Sequence, residues 1–512
     1  MKRSKLLLLA VALLLVAAVR AEAATEVRMT GDALIYGNYF SGRNFTGWNN
    51  AYWTNNAGAV QPGHTEREEK FQIWERFRLN SDFIANEAVK FRLGLLVEDT
   101  WGHGTFTAAN PSNRSVSVYQ AYLQFKWPGT DVQITAGLQP AALPQSSFFA
   151  GSVIFDEDVA GLVITSPLIP DTLTLVLGYV RTISSAQSFS DPINANSKYL
   201  YPNEEGFLLA LPVTVDGFKA TPWAMYGQGG PAGKYFVDGG WAPGLISAGL
   251  LGLPSHGRVG WKNNFITALW AGSSFEVSAL DPLKFYADVI WGQHGMNEYK
   301  KNVRNGWFID LAVEYTGFSM VTPQGFGWWS TGEDGSTRNG SERMPHFFPG
   351  SGNGGLHNGN AIAWNAGNSF LFDGGQELVK GSNLGINPVG TWGFGVSLNK
   401  MSFMEKLSHI LTFAYVHGNN SPTAVRDANR LLGGSNPVFC MGRDLTNEEW
   451  VIGINFDTKY MLYDNLALIL ETGWAHANHF RKSVWDVNVP SQGITRNQQD
   501  AWKVAFGLKY TF

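Results

Sequence analysis

From Trp502 to Phe512 large apolar side chains alternate without a break with small or charged ones. Trp502, Val504, Phe506, Leu508, Tyr510 and Phe512 fall on one parity; Lys503, Ala505, Gly507, Lys509 and Thr511 fall on the other. Successive strand side chains point to opposite sides, so this segment carries one greasy, aromatic face and one face with two lysines. A wall with hydrocarbon on one side and water on the other requires that pattern. A soluble sheet shows it too, so the rest of the chain decides between them.

The alternation recurs in segments of about ten residues, the length a tilted membrane-crossing strand needs. Phe91, Leu93, Leu95 and Val97 alternate with Arg92, Gly94, Leu96 and Glu98, and Tyr119 to Trp127 and Val132 to Gln139 behave alike. Trp307, Ile309, Leu311, Val313 and Tyr315 oppose Asp310 and Glu314, and Trp450, Ile452, Ile454 and Phe456 oppose Gly453, Asn455 and Asp457. Roughly eighteen such segments occur, the least regular near 217–226, 258–271 and 319–328, and bacterial barrels favour even numbers. Tight turns stand at Pro128-Gly129-Thr130, Asp216-Gly217, Leu280-Asp281-Pro282 and Tyr463-Asp464-Asn465, against long stretches such as 40–69 and 418–447. The expectation is an all-β fold: a transmembrane antiparallel β-barrel of 16 to 18 strands, with short periplasmic turns and long extracellular loops. Such a circumference leaves an aqueous lumen.

Composition agrees, with 58 glycines, 13% aromatic and only 16% charged residues in 512 positions. Mean hydropathy is −0.11, as for a wall whose inner half is polar. At the start, Lys2, Arg3 and Lys5 precede an apolar run from Leu6 to Val19 and a small-residue site, Ala21-Glu22-Ala23, which predicts a signal peptide over 1–23. That run is too short for a spanning helix, which needs about 20 residues, and no later apolar stretch reaches that length. The barrel domain is then 24–512, beginning by about Glu26, without a separate plug. Loss of 1–23, with four basic and one acidic residue, takes the net charge from −4 to −7, which argues against a nucleic-acid partner. Cys440 is the sole cysteine, so internal disulfides and cysteine-rich metal sites are excluded. The irregular region 330–390, rich in Gly, Asn and Ser around Ser351-Gly352-Asn353-Gly354-Gly355, is expected to be a long surface loop. It lacks the Lys and Ser or Thr of a phosphate-cradling loop.

The inner face holds the clearest chemistry. In Phe71 to Asp82 the alternation assigns Gln72, Trp74, Arg76, Arg78, Asn80 and Asp82 to the lumen, and Lys90, Arg92 and Glu98 of the next strand point the same way. A turn centred near Ala85 would set Arg78 opposite Arg92, Asn80 opposite Lys90 and Arg76 opposite Gly94. That makes a pore-lining basic ladder of Arg76, Arg78, Lys90 and Arg92, and adjacent like charges call for a counter-charge. Asp156, Glu157 and Asp158, after strand five, are the acidic candidates if a third extracellular loop folds inward to make a constriction. The plainer alternative is that these acids solvate a loop end and the arginines pair locally with Asp82 or Glu98. Glu75 sits on the outward parity between Ile73 and Phe77, where a carboxylate in lipid is costly. Headgroup depth, a register slip or a subunit interface would each account for it, and the last matches symmetric barrel assemblies.

A chain that closes on such a strand with a terminal Phe resembles bacterial outer-membrane barrels, whose assembly machinery reads it; Tyr510 and Phe512 are the residues concerned. Val27-Arg28-Met29-Thr30-Gly31, Ala136-Gly137-Leu138-Gln139-Pro140, Asp158-Val159-Ala160-Gly161-Leu162 and Tyr510-Thr511-Phe512, in that order, resemble the outer membrane homotrimeric porins of sulfate-reducing bacteria. The resemblance implies a homotrimer in outer-membrane lipid that passes small hydrophilic solutes and ions by diffusion, with no cofactor. A barrel enzyme is a rival, but no nucleophile and base are marked by local spacing. His476 and His479 are a lone pair without a third metal ligand, and His409 and His417 bracket a strand as rim residues. A substrate-specific channel is the other rival, with Trp328, Trp329, Phe347 and Phe348 near the mouth placed to stack on a sugar.

Overall fold

The computed structural model describes residues 25–42, 45, 52–54, 60–62, 71–102, 116–149, 151–183, 204–229, 266–296, 300, 303–336, 340–345, 364, 370–372, 377–378, 383–431, 442–478 and 498–512. The expected signal peptide, Phe347, Phe348, Ser351 to Gly355, Cys440 and His479 lie outside the described residues. The strands are β1 (Glu26–Ser41), β2 (Tyr52–Thr54), β3 (Val60–Pro62), β4 (Phe71–Asn86), β5 (Val89–Thr100), β6 (Ser117–Lys126) and β7 (Gln133–Ala142). They continue with β8 (Asp156–Ile169), β9 (Leu173–Ile183), β10 (Glu204–Ala210), β11 (Val213–Val215), β12 (Phe218–Gly229), β13 (Ile266–Leu280) and β14 (Leu283–His294). The last are β15 (Arg304–Tyr315), β16 (Thr322–Ser330), β17 (Thr391–Met404), β18 (Leu407–Gly418), β19 (Trp450–Tyr463), β20 (Leu466–Asn478) and β21 (Ala501–Thr511).

Strands β2 and β3 pair only with each other. Strands β10 and β11 are two halves of one stave, interrupted at Leu211-Pro212, where proline has no N–H to give the ladder. The described residues therefore form eighteen antiparallel staves, the upper of the two expected numbers. β1 pairs with β4 on one side and with β21 on the other, so the sheet closes on itself. Closure is what lets a strand-built wall stand in hydrocarbon, because it leaves no edge of unpaired backbone groups. Phe512 helps to seal the seam: its carbonyl accepts the Gly31 N–H at 2.9 Å, its own N–H reaches the Gly31 carbonyl at 3.1 Å, and its ring stacks on Phe77.

One rim carries only short turns, at 87–88, 127–132, 170–172, 216–217, 281–282, 316–321, 405–406 and 464–465; the other carries every long connection. All four sequence-predicted turns fall on the short rim. The three least regular segments are strands too, at Phe218–Gly229, Ile266–Leu280 and Thr322–Ser330, the second starting later than the expected 258. The outer surface is apolar as the alternation requires: Trp502, Val504, Phe506, Leu508 and Tyr510 are exposed, while Lys503 and Ala505 are buried. Near the long-loop rim Trp392, Tyr415, His417, Trp450, His476, Trp474 and Trp502 touch ring to ring across β17–β21, an interfacial girdle. His409 stacks on Phe456 near the other rim.

The lumen is the surprise. The β16–β17 connection was expected as a surface loop over about 330–390, and many of its described residues turn inward. Trp364, Phe370, Leu371, Phe372, Leu378, Leu384, Ile386 and Val389 are each 2% exposed or less and pack against the inner faces of the staves. Gly and Asn dominate the local composition, but this apolar subset cannot remain in water, and the wall leaves room for it. Gly453, Gly473 and Gly507, inward on β19, β20 and β21, form a shallow recess: a Cβ on Gly453 or Gly473 would run into Leu371 or Phe370, and one on Gly507 would run into Tyr36 of β1 and press on Leu378. A separate plug was not expected; a segment of the barrel's own chain does the filling.

Candidate functional site

The connection from β7 to β8 crosses the lumen. Its residues Leu143, Ser146, Phe149, Ser152, Val153, Ile154 and Phe155 are buried, and its tip docks on the far wall. Gln145 Nε2 donates to Asp310 Oδ2 at 3.0 Å. The Ser146 amide and hydroxyl donate to the two oxygens of Asp288 at 2.8 and 2.5 Å, and the Ser147 amide donates to Glu276 Oε1 at 2.8 Å. The third long connection thus folds inward as expected, but the acids it meets are Glu276, Asp288 and Asp310 on β13, β14 and β15. Alternation had marked Asp310 as inward; a loop's landing site has no local signal.

Asp156, Glu157 and Asp158 are not in that loop. They open strand β8, opposite Ala142, Ala141 and Pro140, so the constriction segment ends before them. The reason is ladder continuity: β7 runs to Ala142 and its partner strand must begin level with it. Asp158 accepts a hydrogen bond from Gln120 at 3.0 Å and is within electrostatic range of Arg78.

The basic ladder keeps its faces and changes its partners. Phe71, Phe77 and Phe83 are exposed outward, which leaves Arg76, Arg78 and Asp82 to the lumen. The β4–β5 turn is Glu87-Ala88, with Asn86 Oδ1 accepting the Ala88 N–H at 2.8 Å, and not near Ala85. Arg92 therefore lies opposite Asp82, Arg76 opposite Glu98, Arg78 opposite Leu96, Asn80 opposite Gly94 and Lys90 opposite Ile84. Arg92 grips both Asp82 oxygens at 2.6 Å, and Arg76 reaches Asp32 of β1 at 2.8 Å. Arg78 and Lys90 make no salt bridge among the described residues; Arg78 lies 5.5 Å from the Tyr119 ring centre. The Asn86 side chain, which closes a turn two residues on, was the signal that fixes this register.

Glu75 is outward near the long-loop rim, level with Asp99, and its carboxylate accepts the Trp101 indole N–H at 2.9 Å. An indole partner at the rim agrees with headgroup depth.

The two infolded segments meet. Phe149 stacks on Trp364 with ring centres 5.2 Å apart, and Trp364 donates to Asp310 Oδ2 at 2.9 Å while packing against Trp328, Phe308 and Phe372. Trp328 and Trp329 are strand residues, not loop residues: Trp328 is buried inside this cluster and Trp329 is exposed outside. Deeper in, Glu377 bridges Lys459 at 2.8 Å and Lys509 at 2.5 Å. Glu471 accepts the Glu377 and Leu378 N–H groups at 2.8 and 2.9 Å and the Lys503 ammonium at 2.5 Å. Burial pushes the Glu377 carboxyl up, yet its two lysines outweigh that and hold it below the usual range.

Nearer the rim Arg304 donates to the Arg343 and Met344 carbonyls at 2.6 and 2.5 Å, and Arg343 pairs with Asp444. Glu333, beside Ser341, is pushed up to about 8, chiefly by burial. Glu333, Asp334 and Glu342 are close enough to share a cation, though acidic groups cluster without one. His476 pairs with Asp500 at 2.7 Å.

No protein-family model and no curated protein matches the chain. Among solved structures it is similar to Pseudomonas aeruginosa OccK11 (OpdR), at 8% identity and a TM-score of 0.47, covering 95% of this chain and 96% of that one. It is similar to Pseudomonas aeruginosa OccK3 (OpdO), at 10% identity and 0.47, covering 94% and 95%. Acinetobacter baumannii OccAB3 gives 10% and 0.46, covering 94% and 99%. These likenesses are of fold alone.

Proposed function

We propose that this protein is an outer-membrane channel that lets small hydrophilic solutes and ions cross by diffusion through a constricted lumen. One observation carries the reading: a closed eighteen-stave wall, apolar outside, encloses charged side chains and an infolded loop that spans from β7–β8 to β13–β15. Rows of opposite charge across a narrow waist bias which ions enter. Here the cations are Arg76, Arg78, Lys90 and Arg92, and the acids on β13–β15 are Glu276 and Glu314, with Asp288 and Asp310 buried beneath the loop tip, in place of Asp156 to Asp158 alone. Single-channel recording of the refolded chain under a salt gradient tests it. Discrete conductance steps with a non-zero reversal potential are expected; a silent bilayer overturns the channel.

The same reading takes residues 1–23 as a cleaved export signal, Tyr510 and Phe512 as the signal for barrel assembly, and a homotrimer as the working form. If the outward Glu75 serves a subunit contact, Glu75→Leu weakens the native oligomer on a semi-native gel; an unchanged band leaves Trp101 as its sufficient partner. The stacked pair Phe149 and Trp364 favours a second, narrower reading, a channel selective for one class of solute. Saturable block of the current by one solute supports selectivity, and linear unblocked current supports general diffusion.

A further inference from the structure

Two lysine–glutamate contacts in the lumen differ in kind. Lys503 and Glu471 are sealed, with side chains 0% and 2% exposed. Lys459, Lys509 and Glu377 are open to water, at 38%, 23% and 40%. In the open group both cations belong to the wall, on β19 and β21 either side of β20, and each holds a different oxygen of the one carboxylate. The carboxylate comes from the infolded segment and reaches them across 82 and 132 positions of sequence. We propose that Lys459 and Lys509 form an oxyanion-binding subsite of the lumen wall that Glu377 occupies in cis, so that a small oxyanion competes with the chain's own carboxylate for the two ammonium groups.

The surroundings fit that role. Asp457 of β19 lies level with Glu471 of β20 in the ladder, and Asn455 donates to Asp457 at 2.8 Å. Glu471 is committed to Lys503 and to the two backbone N–H groups of the segment. β1 and β4 bring Leu34, Tyr36 and Trp74 against Leu378, and the nearest β1 carboxylate, Asp32, is held by Arg76 at 2.8 Å. Once Glu377 is withdrawn, the wall at this level presents the two ammonium groups that it bridged. Such exposed pairs are individually weak, so exchange for a solute anion costs little. Two ammonium groups bridging one carboxylate also suit the spread of oxygens on phosphate. The carboxyl of Glu377 stays below its usual range although partly buried, which reflects the same pull on negative charge.

The inference rests on the channel reading only for the route by which a solute arrives. Its test is therefore binding, not current: calorimetric titration of inorganic phosphate into the detergent-refolded full chain, with sodium chloride at matched ionic strength as the screening control. Glu377→Gln is expected to bind phosphate about fivefold more tightly than the parent, because the competing carboxylate is removed. Adding Lys509→Gln is expected to abolish the gain. Equal affinity in the parent and Glu377→Gln, or a gain that survives Lys509→Gln, overturns the proposal. Should Glu377→Gln fail to refold, as judged by heat-dependent gel migration, Lys509→Gln alone decides: lost phosphate binding supports the subsite and unchanged binding overturns it. A chain that binds phosphate in this way yet conducts no ions refutes the channel and leaves the subsite standing; a conducting chain indifferent to phosphate does the reverse.

Discussion

Strands β4–β8 and strands β19–β21 line the same lumen with opposite inner surfaces. The first group presents Arg76, Arg78, Arg92, Gln120 and Tyr122, polar groups held along the wall by Asp32, Asp82, Asp158 and ring contacts. The second presents Gly453, Gly473 and Gly507 beside Lys459, Lys503 and Lys509, a surface whose recess accepts Phe370, Leu371 and Leu378 and whose lysines hold Glu377 and Glu471. The difference shows how one barrel is polar and filled at once. Where inward side chains are long, they fill the space beside the wall themselves; where glycines leave it bare, a remote segment supplies the missing volume and buries apolar area in return.

The largest expected effect that would break this contrast comes from the sealed pair beside the glycine recess. Lys503→Met leaves Glu471 buried without its cation and is expected to cost about 3–5 kcal/mol, read as a lower urea midpoint of the refolded barrel. Gly473→Val puts a side chain where the Phe370 ring lies and is expected to cost about 1–3 kcal/mol while raising single-channel conductance as the segment is expelled. Unchanged conductance would mean that the filled recess does not limit flow. On the polar wall, neutralising Arg76, Arg78 and Arg92 together is expected to move the reversal potential toward cation preference; no movement would detach the ladder from selectivity.

A smaller effect follows from Glu333. Its carboxyl, pushed up to about 8 by burial, lies above its ordinary value, so its contribution is whole below the ordinary carboxylate range and is lost as pH rises through about 8. The thermal midpoint of the parent is expected to fall as pH rises from about 4.5 to about 8 and to level off above that, and Glu333→Gln to abolish that fall.

Much of the wall was legible in the chain. Period-two alternation found nearly every stave and the right inward residues on β4, and Gly, Pro, Asn and Asp marked the short turns. The β4–β5 partners were missed because a turn moved by two residues preserves parity: every side chain keeps its face while Arg92 exchanges Arg78 for Asp82. A repulsive ladder becomes a salt bridge, with no change that a face pattern can register. The inward packing of Trp364, Phe370 to Phe372, Glu377, Leu378 and Leu384 to Val389 was missed for a different reason. Its partners are Asp310, Gly453, Gly473, Lys459 and Lys509, tens to more than a hundred positions away, and local composition there is that of a surface loop.

Sequence alone determined which side of each strand meets hydrocarbon and which meets water, because a strand's side chains must alternate whatever lies beside them. Only the tertiary structure decided what stands opposite what: which acid answers each arginine, where the loop after β7 lands, and that Glu377 enters the lysine fork. Those choices are made by ladder offset and by free volume inside the closed wall, and neither exists until the ring has formed.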